Sequence, residues 1–231
     1  LKRGQKLWQR EAAHLRRIMA IRRSLRGQLV TAGEDGCVRV WEELASGPQL
    51  RLELPNVVAA DLCVAGDRLY AVVGDTLEVY DLLDGLLLAK LRHSAGAEAE
   101  AGRRSLTRLA VDATECMLLV GTQTGDLLIW DLTALTADTP LYSSNNGSYL
   151  LKGHGAAIVG LSISLDGAWA VSLDRLGGLA VWDLATRSLL RRLEAPPRGY
   201  SQATGLWLST PAGKGGILGF TQLQREVAPL D

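Results

Sequence analysis

Near its start the chain carries the residue types of a hydrolytic centre: His14, Thr31 and Asp35, followed by Trp41. An imidazole set between a carboxylate and a hydroxyl is the arrangement that activates a nucleophile, but only where the hydroxyl is exposed beside oxyanion-stabilising donors. Here Thr31 lies ten residues and Asp35 six residues before an indole that would seal the set. The same residues have a structural use. A buried imidazole needs a partner for each ring nitrogen, and Asp35 and Thr31 supply one apiece. A second set, His154, Ser172 and Trp182, repeats the order, with Leu176 at the position equivalent to Asp35 and Asp174 two positions early. The third histidine, His93, borders a loop.

Other chemistries find little support. Cys37, Cys63 and Cys116 are far apart and form no C-x-x-C pair, so they read as buried free thiols of a reducing compartment. Gly213-Lys-Gly-Gly216 lacks the Ser/Thr and the strand–loop–helix setting of a phosphate loop and reads as a turn. No metal-ligand cluster, paired-carboxylate constellation or cofactor motif stands in a convincing context, so no enzyme and no cofactor are expected. Lys plus Arg equals Asp plus Glu, 25 each among 231 residues, so overall charge points to neither nucleic acid nor membrane. No run of 18 or more apolar residues occurs.

One local charge feature stands out. Lys2, Arg3, Lys6, Arg10, Arg16, Arg17, Arg22, Arg23 and Arg26 face only Glu11. Two readings remain open: a basic amphipathic helix with Leu7, Leu15, Ile18 and Leu25 on one side, or an outer strand at Lys6–Gln9 followed by an inner strand from Ile18 to Ile21. Arg16, Arg17, Arg22 and Arg23 are the candidate contacts to RNA or to an acidic partner, against a plain solvated basic rim.

The elements that must position these residues recur. Four segments share one order: an apolar run, a turn, a second apolar run, a Gly-containing turn, and a run ending in an aromatic. The closing aromatics Trp41, Tyr80, Trp130 and Trp182 are 39, 50 and 52 residues apart. Short β-rich runs with Gly and Asp turns at that period do not fit helical repeats. A further strand-like stretch follows three of the aromatics, Gln49–Leu54, Leu86–Leu91 and Leu189–Leu193, as an outer, half-solvated strand. Ser94 to Arg104 and Thr133 to Ser148 interrupt the period and read as surface loops.

Trp130-Asp131, Trp182-Asp183 and Gly153-His154, with Ala13-His14 as a near version, resemble the signature dipeptides of the WD-repeat (WD40) family. The resemblance implies an all-β WD40 β-propeller, and His14, Thr31, Asp35 and Trp41 then resemble its structural hydrogen-bonded tetrad, with His154, Ser172 and Trp182 as a partial one. Asp35→Ala should cost roughly 1–3 kcal/mol of stability through an unpaired buried partner. The second and third repeats lack the set and would rely on apolar packing alone. Four complete blades are expected at about 14–54, 57–93, 106–151 and 154–194, with partial strands at 5–9 and 203–209, a propeller domain over 1–210 and a C-terminal extension over 211–231. The chain opens on Leu1 inside a repeat and is expected to be part of something longer, a fragment of a seven-bladed ring.

The wording of the blocks is more particular: Leu7-Trp-Gln9 leading to Ala13-His14-Leu-Arg16, Leu29-Val-Thr-Ala-Gly-Glu-Asp-Gly36, Val111-Asp-Ala-Thr-Glu115, Leu151-Lys-Gly-His154 and Ser162-Ile-Ser-Leu-Asp-Gly167. It resembles the WD-repeat subunit of the nuclear complex that joins the large ribosomal subunit precursor to the AAA ATPase midasin. That resemblance implies a non-catalytic adaptor in ribosome biogenesis and rRNA processing, with other complex subunits, the pre-ribosomal particle and a midasin-type ATPase as partners. Two upstream blades and the helical tail of that family are missing from this sequence. The alternative is a WD-repeat adaptor of another pathway, a ubiquitin-ligase substrate receptor or a ciliary or trafficking scaffold.

Overall fold

The computed structural model describes residues 13–44, 46–92, 105–133, 142–143, 149–193, 200–209 and 217–224, and every regular element among them is a β-strand. The first sheet is an antiparallel meander of β1 (Ile18–Arg23), β2 (Leu29–Gly33), β3 (Cys37–Leu44) and β4 (Gly47–Pro55). The second repeats it with β5 (Asp61–Ala65), β6 (Arg68–Val73), β7 (Thr76–Asp81) and β8 (Leu87–Arg92). The third has β9 (Leu106–Val111), β10 (Met117–Thr122) and β11 (Asp126–Asp131); then a two-residue strand β12 (Tyr142–Ser143) precedes its outer strand β13 (Tyr149–Lys152). The fourth has β14 (Ile158–Ile163), β15 (Trp169–Asp174), β16 (Leu179–Asp183) and β17 (Ser188–Leu193). A hairpin of β18 (Tyr200–Ser209) and β19 (Ile217–Gln224) follows.

The inner strands β1, β5, β9 and β14 lie side by side in that order, with β18 next to β14. These are blades of a β-propeller in an arc, each sheet stacked on the next. Stacking on both sides explains the composition of the middle strands, which read as continuous apolar runs where a sheet with one wet face would alternate. Leu118 and Val120 of β10 pack towards the second sheet, and Leu119 between them packs towards the fourth. The closing aromatics stand at matching places on the third strands. Tyr80, Trp130 and Trp182 each face the preceding sheet, and Trp41 is 5% exposed on the corresponding face of the first.

The turn that closes β10 on β11 shows how tightly the repeats interlock. Gly125 has φ +91°, and a Cβ there would lie 2.7 Å from the carbonyl oxygens of both His154 and Ala156. Gly125→Ala is therefore expected to lower the unfolding free energy by about 2 kcal/mol, from left-handed backbone strain and displacement of the next repeat's entry loop. Urea denaturation checks it, and an unchanged midpoint would contradict it.

Several expectations need adjustment. Ile18–Arg23 is a strand, which overturns the helical reading of the basic segment for these residues. The segment 133–148 is more than a loop, because β12 pairs in parallel with the outer strand β8, Tyr142 opposite Lys90 and Ser143 opposite Leu91. An outer strand leaves one row of backbone donors and acceptors open, and a passing segment can take them up. A division at residue 210 would separate two strands of one hairpin, since β18 pairs with β19. The strand expected at 5–9, His93 and the segment 94–104 lie outside the described residues.

Candidate functional site

At one end of the first sheet the loop before β1 meets the β2–β3 turn, tied by the Glu34 N–H donating to the Arg17 carbonyl at 2.8 Å. This closure buries the His14 side chain completely, and Asp35 beside it is 6% exposed. His14 Nδ1 is 2.9 Å from Asp35 Oδ1, His14 Nε2 is 2.7 Å from Thr31 Oγ1, and Trp41 Nε1–H donates to the same Oγ1 at 2.9 Å. With a proton on Nδ1 the ring donates to Asp35, while the Thr31 hydroxyl donates to Nε2 and accepts from the indole. Gly33 forms the floor, where a Cβ would strike both the imidazole and the Asp35 carboxylate.

A fifth residue, Arg39, enlarges this network. Its Nη1 donates to Asp35 Oδ2 at 2.8 Å and to the Ala13 carbonyl at 3.1 Å, and its Nε donates to Glu53 Oε2 at 2.6 Å. Asp35 also accepts the backbone N–H groups of Leu15 at 3.1 Å and Cys37 at 3.3 Å. Burial by itself would raise the Asp35 carboxyl; the hydrogen bonds from Arg39, His14 and Leu15 outweigh it and hold the group well below the usual carboxylate range.

In the fourth sheet His154 Nε2 is 2.6 Å from Ser172 Oγ, and Trp182 Nε1–H donates to that hydroxyl at 2.8 Å. Asp174 completes the set, its Oδ2 lying 3.0 Å from His154 Nδ1. It reaches from its early position because Ser172 and Asp174 are two apart on β15, so both side chains leave the same face towards the histidine. Its other oxygen caps the turn, accepting the N–H groups of Leu176 at 2.9 Å and Gly178 at 2.8 Å. Burial lowers the His154 pKa, and the bond to Asp174 offsets only part of that.

The second sheet does not depend on apolar packing alone. Tyr80, in the place of a closing Trp, donates its hydroxyl to Glu78 Oε2 at 2.5 Å, and Lys90 Nζ holds Glu78 Oε1 at 2.6 Å. Burial, then the Glu78 carboxylate, pushes the Tyr80 phenol up. Asp61, 4% exposed, ties three sheets together. Arg22 of β1 donates to its Oδ1 at 2.6 Å, as does the Leu62 N–H at 2.9 Å, and the Leu109 N–H of β9 donates to its Oδ2 at 3.2 Å. Next to Leu109, Arg108 Nε donates to the Val159 carbonyl of β14 at 2.9 Å, carrying the chain of contacts to the fourth sheet.

Three of the four candidate arginines have acidic partners. Arg22 is committed to Asp61, because a buried carboxylate attracts the nearest guanidinium and β1 points its side chain across the blade junction. Arg17 approaches Glu34 and Arg23 approaches Glu43, each at 3.5 Å, as exposed pairs of small energetic weight. Arg16 is exposed in the loop before β1.

Chemically the histidine sets are closed. Thr31 is 3% exposed and Ser172 is fully buried, and both hydroxyls already bridge an imidazole and an indole, leaving neither free to attack a substrate. Among the described residues no group of His, Cys, Asp and Glu is placed to hold a metal ion, and no helix is long and apolar enough to cross a membrane. A cleft of about 340 Å³ at the opposite end of the first sheet is lined by Arg26, Gln28, Glu42, Glu43 and Arg51 with Gly27 and Leu44. It holds no histidine, thiol or hydroxyl. The residues that sequence reasoning missed, Arg39 and Glu78, share a signal: each is a charged residue inside an apolar third strand, two positions before the closing aromatic.

The family model described as "WD domain, G-beta repeat" matches residues 7–42, the stretch that contains the first histidine set. The chain is also 28% identical over 190 residues to a Pre-rRNA-processing protein IPI3 from Yarrowia lipolytica, an alignment covering 74% of this chain and 43% of that protein. The chain thus spans less than half the length of the curated relative it matches.

Proposed function

We propose that this WD-repeat chain is a non-catalytic adaptor in pre-rRNA processing during large ribosomal subunit maturation. The observation that carries the reading is its similarity, across 74% of its length, to a protein named for pre-rRNA processing. The buried networks are consistent with it: His14 and His154 lock loops to turns, and the result is a stiff frame that can present rim side chains at fixed positions. Recognition then rests on surface complementarity with other subunits of a multi-protein complex, with the pre-ribosomal particle and with a midasin-type ATPase, in the nucleoplasm or nucleolus. Arg16, Arg17, Arg22 and Arg23 remain the residues proposed for direct RNA contact, the last three by leaving their acidic partners.

Affinity capture of the tagged chain tests this. Ribosome-assembly factors and precursor RNA retaining the internal spacer should be enriched at least tenfold over a tag-only control, and depletion of the protein should make spacer-containing precursors accumulate. Enrichment of ubiquitin-ligase or axonemal subunits in their place, with normal precursor levels, would overturn the proposal.

A further inference from the structure

The outer strands of the sheets are not alike. In β8 the residues Ala89 and Leu91 are buried, and the open edge of that strand is occupied by β12. In β17, Ser188-Leu-Leu-Arg-Arg-Leu193, all six residues are exposed, including Leu189 at 41%, Leu190 at 53% and Leu193 at 44%. Among the described residues β17 is paired on one side only, with β16, and a bulge near Leu190 interrupts that ladder. Leucines on both faces of an edge strand beside an open backbone ladder are a combination that soluble proteins ordinarily avoid.

Charge narrows what would fit. Arg191 and Arg192 lie within the strand, and the Arg187 guanidinium stands 3.4 Å above the Tyr149 ring on the neighbouring outer strand β13. That contact carries the surface onto Tyr149 and Leu150, 44% and 39% exposed. β17 itself contains no acidic residue. The molecule also displays the matching mode of recognition, because the equivalent edge in the second sheet takes up an added strand.

We propose that the outer edge of the fourth sheet is a docking site for an extended segment of a partner protein, with apolar residues alternating with acidic ones, added as a further strand beside β17. Backbone pairing supplies the binding, the leucines take alternate side chains, and Arg187 and Arg191 select for acid. A nucleic acid would use the arginines but neither the ladder nor the leucines. The inference rests on the adaptor reading only in expecting a protein partner, and the two fail separately: assembly factors could be captured by a chain that binds no such peptide.

The test is fluorescence anisotropy on the full chain with three probes: ten-residue peptides alternating Leu or Val with Glu, the same peptides with Lys for Glu, and single-stranded oligouridine. The acidic peptides should bind at least tenfold more tightly than the basic ones, hydrogen exchange at residues 188–193 should slow on binding, and Arg187→Glu with Arg191→Glu should weaken binding at least tenfold at unchanged melting temperature. N-methylation of alternate peptide backbone nitrogens should abolish it. Absence of acidic-peptide binding, protection confined to another strand, or oligouridine binding more tightly than the peptides with the same dependence on the two arginines would each overturn the proposal.

Discussion

Asp61→Ala is expected to lower the unfolding free energy by about 2–4 kcal/mol, the loss of one buried charged acceptor serving several donors. The carboxylate is 4% exposed and accepts from Arg22, from the Leu62 N–H and, across a blade junction, from the Leu109 N–H. Removing it costs little at Arg22, whose side chain is 40% exposed and can turn to water. The larger loss is at Leu109, whose N–H gives up its acceptor on a strand packed between two sheets. Arg22→Ala should cost less, about 1–2 kcal/mol, because a buried carboxyl that loses its cation can take up a proton. The double variant should be milder than the two losses added, by at least about 0.5 kcal/mol, as for residues in one network. Burial raises the Asp61 pKa against the opposing pull of Arg22, Arg108 and the two N–H donors. The folded state therefore holds this proton more tightly than the unfolded chain, and the stabilisation is fullest below about pH 3.9 and declines as pH climbs through the raised value. The penalty of Asp61→Ala, read by urea denaturation, should be greater at about pH 4 than at about pH 7. A loss below about 1 kcal/mol at both would remove Asp61 as the tie between sheets.

The blade meander was legible because period and punctuation agree. Apolar runs of strand length, Gly turns and an aromatic near the end of each third strand leave few alternatives, and the strands fall where those runs are. The first histidine set was legible for a similar reason, since the spacing of Thr31, Asp35 and Trp41 reflects one strand, one turn and the next strand. Asp174 was obscured because it stands two positions earlier than Asp35 does, and the fourth sheet brings it to the histidine through the two-residue period of a strand. Asp61 and Arg22 are 39 residues apart and joined only by the stacking of separate sheets, and no local pattern encodes that pairing. The acidic partners of the arginines were equally hidden: β1 turns neighbouring side chains to opposite faces, and Arg22 and Arg23 end on different acids. The edge pairing of β12 likewise depends on where a distant insertion passes.

Acid should unfold the protein in two stages, and the two histidine sets should account for separate parts of the loss. Burial lowers the His154 pKa, so below about pH 6.5 the unfolded chain binds a proton that the folded one resists. The stability supplied by the neutral His154 is present above that pH and is lost as pH falls through the lowered value. Asp35 is held below the usual carboxylate range, with burial outweighed by Arg39, His14 and the Leu15 N–H, so its contribution is present above about pH 3.9 and is lost only under stronger acid. Asp61, shifted upwards, works in the opposite direction to Asp35. The involvement of Arg39 also raises the expected cost of Asp35→Ala at neutral pH to about 3 kcal/mol, since a guanidinium 13% exposed would keep only Glu53 as a charged partner. Thermal melting across pH, for the wild type and for His154→Gln and Asp35→Ala, separates these contributions. His154→Gln should flatten the decline that begins below about pH 6.5 while leaving the fall below about pH 3.9 in place, and Asp35→Ala should do the reverse. If both variants reproduce the wild-type profile displaced by a constant amount, neither network titrates with folding, and the loops they lock are held by packing alone.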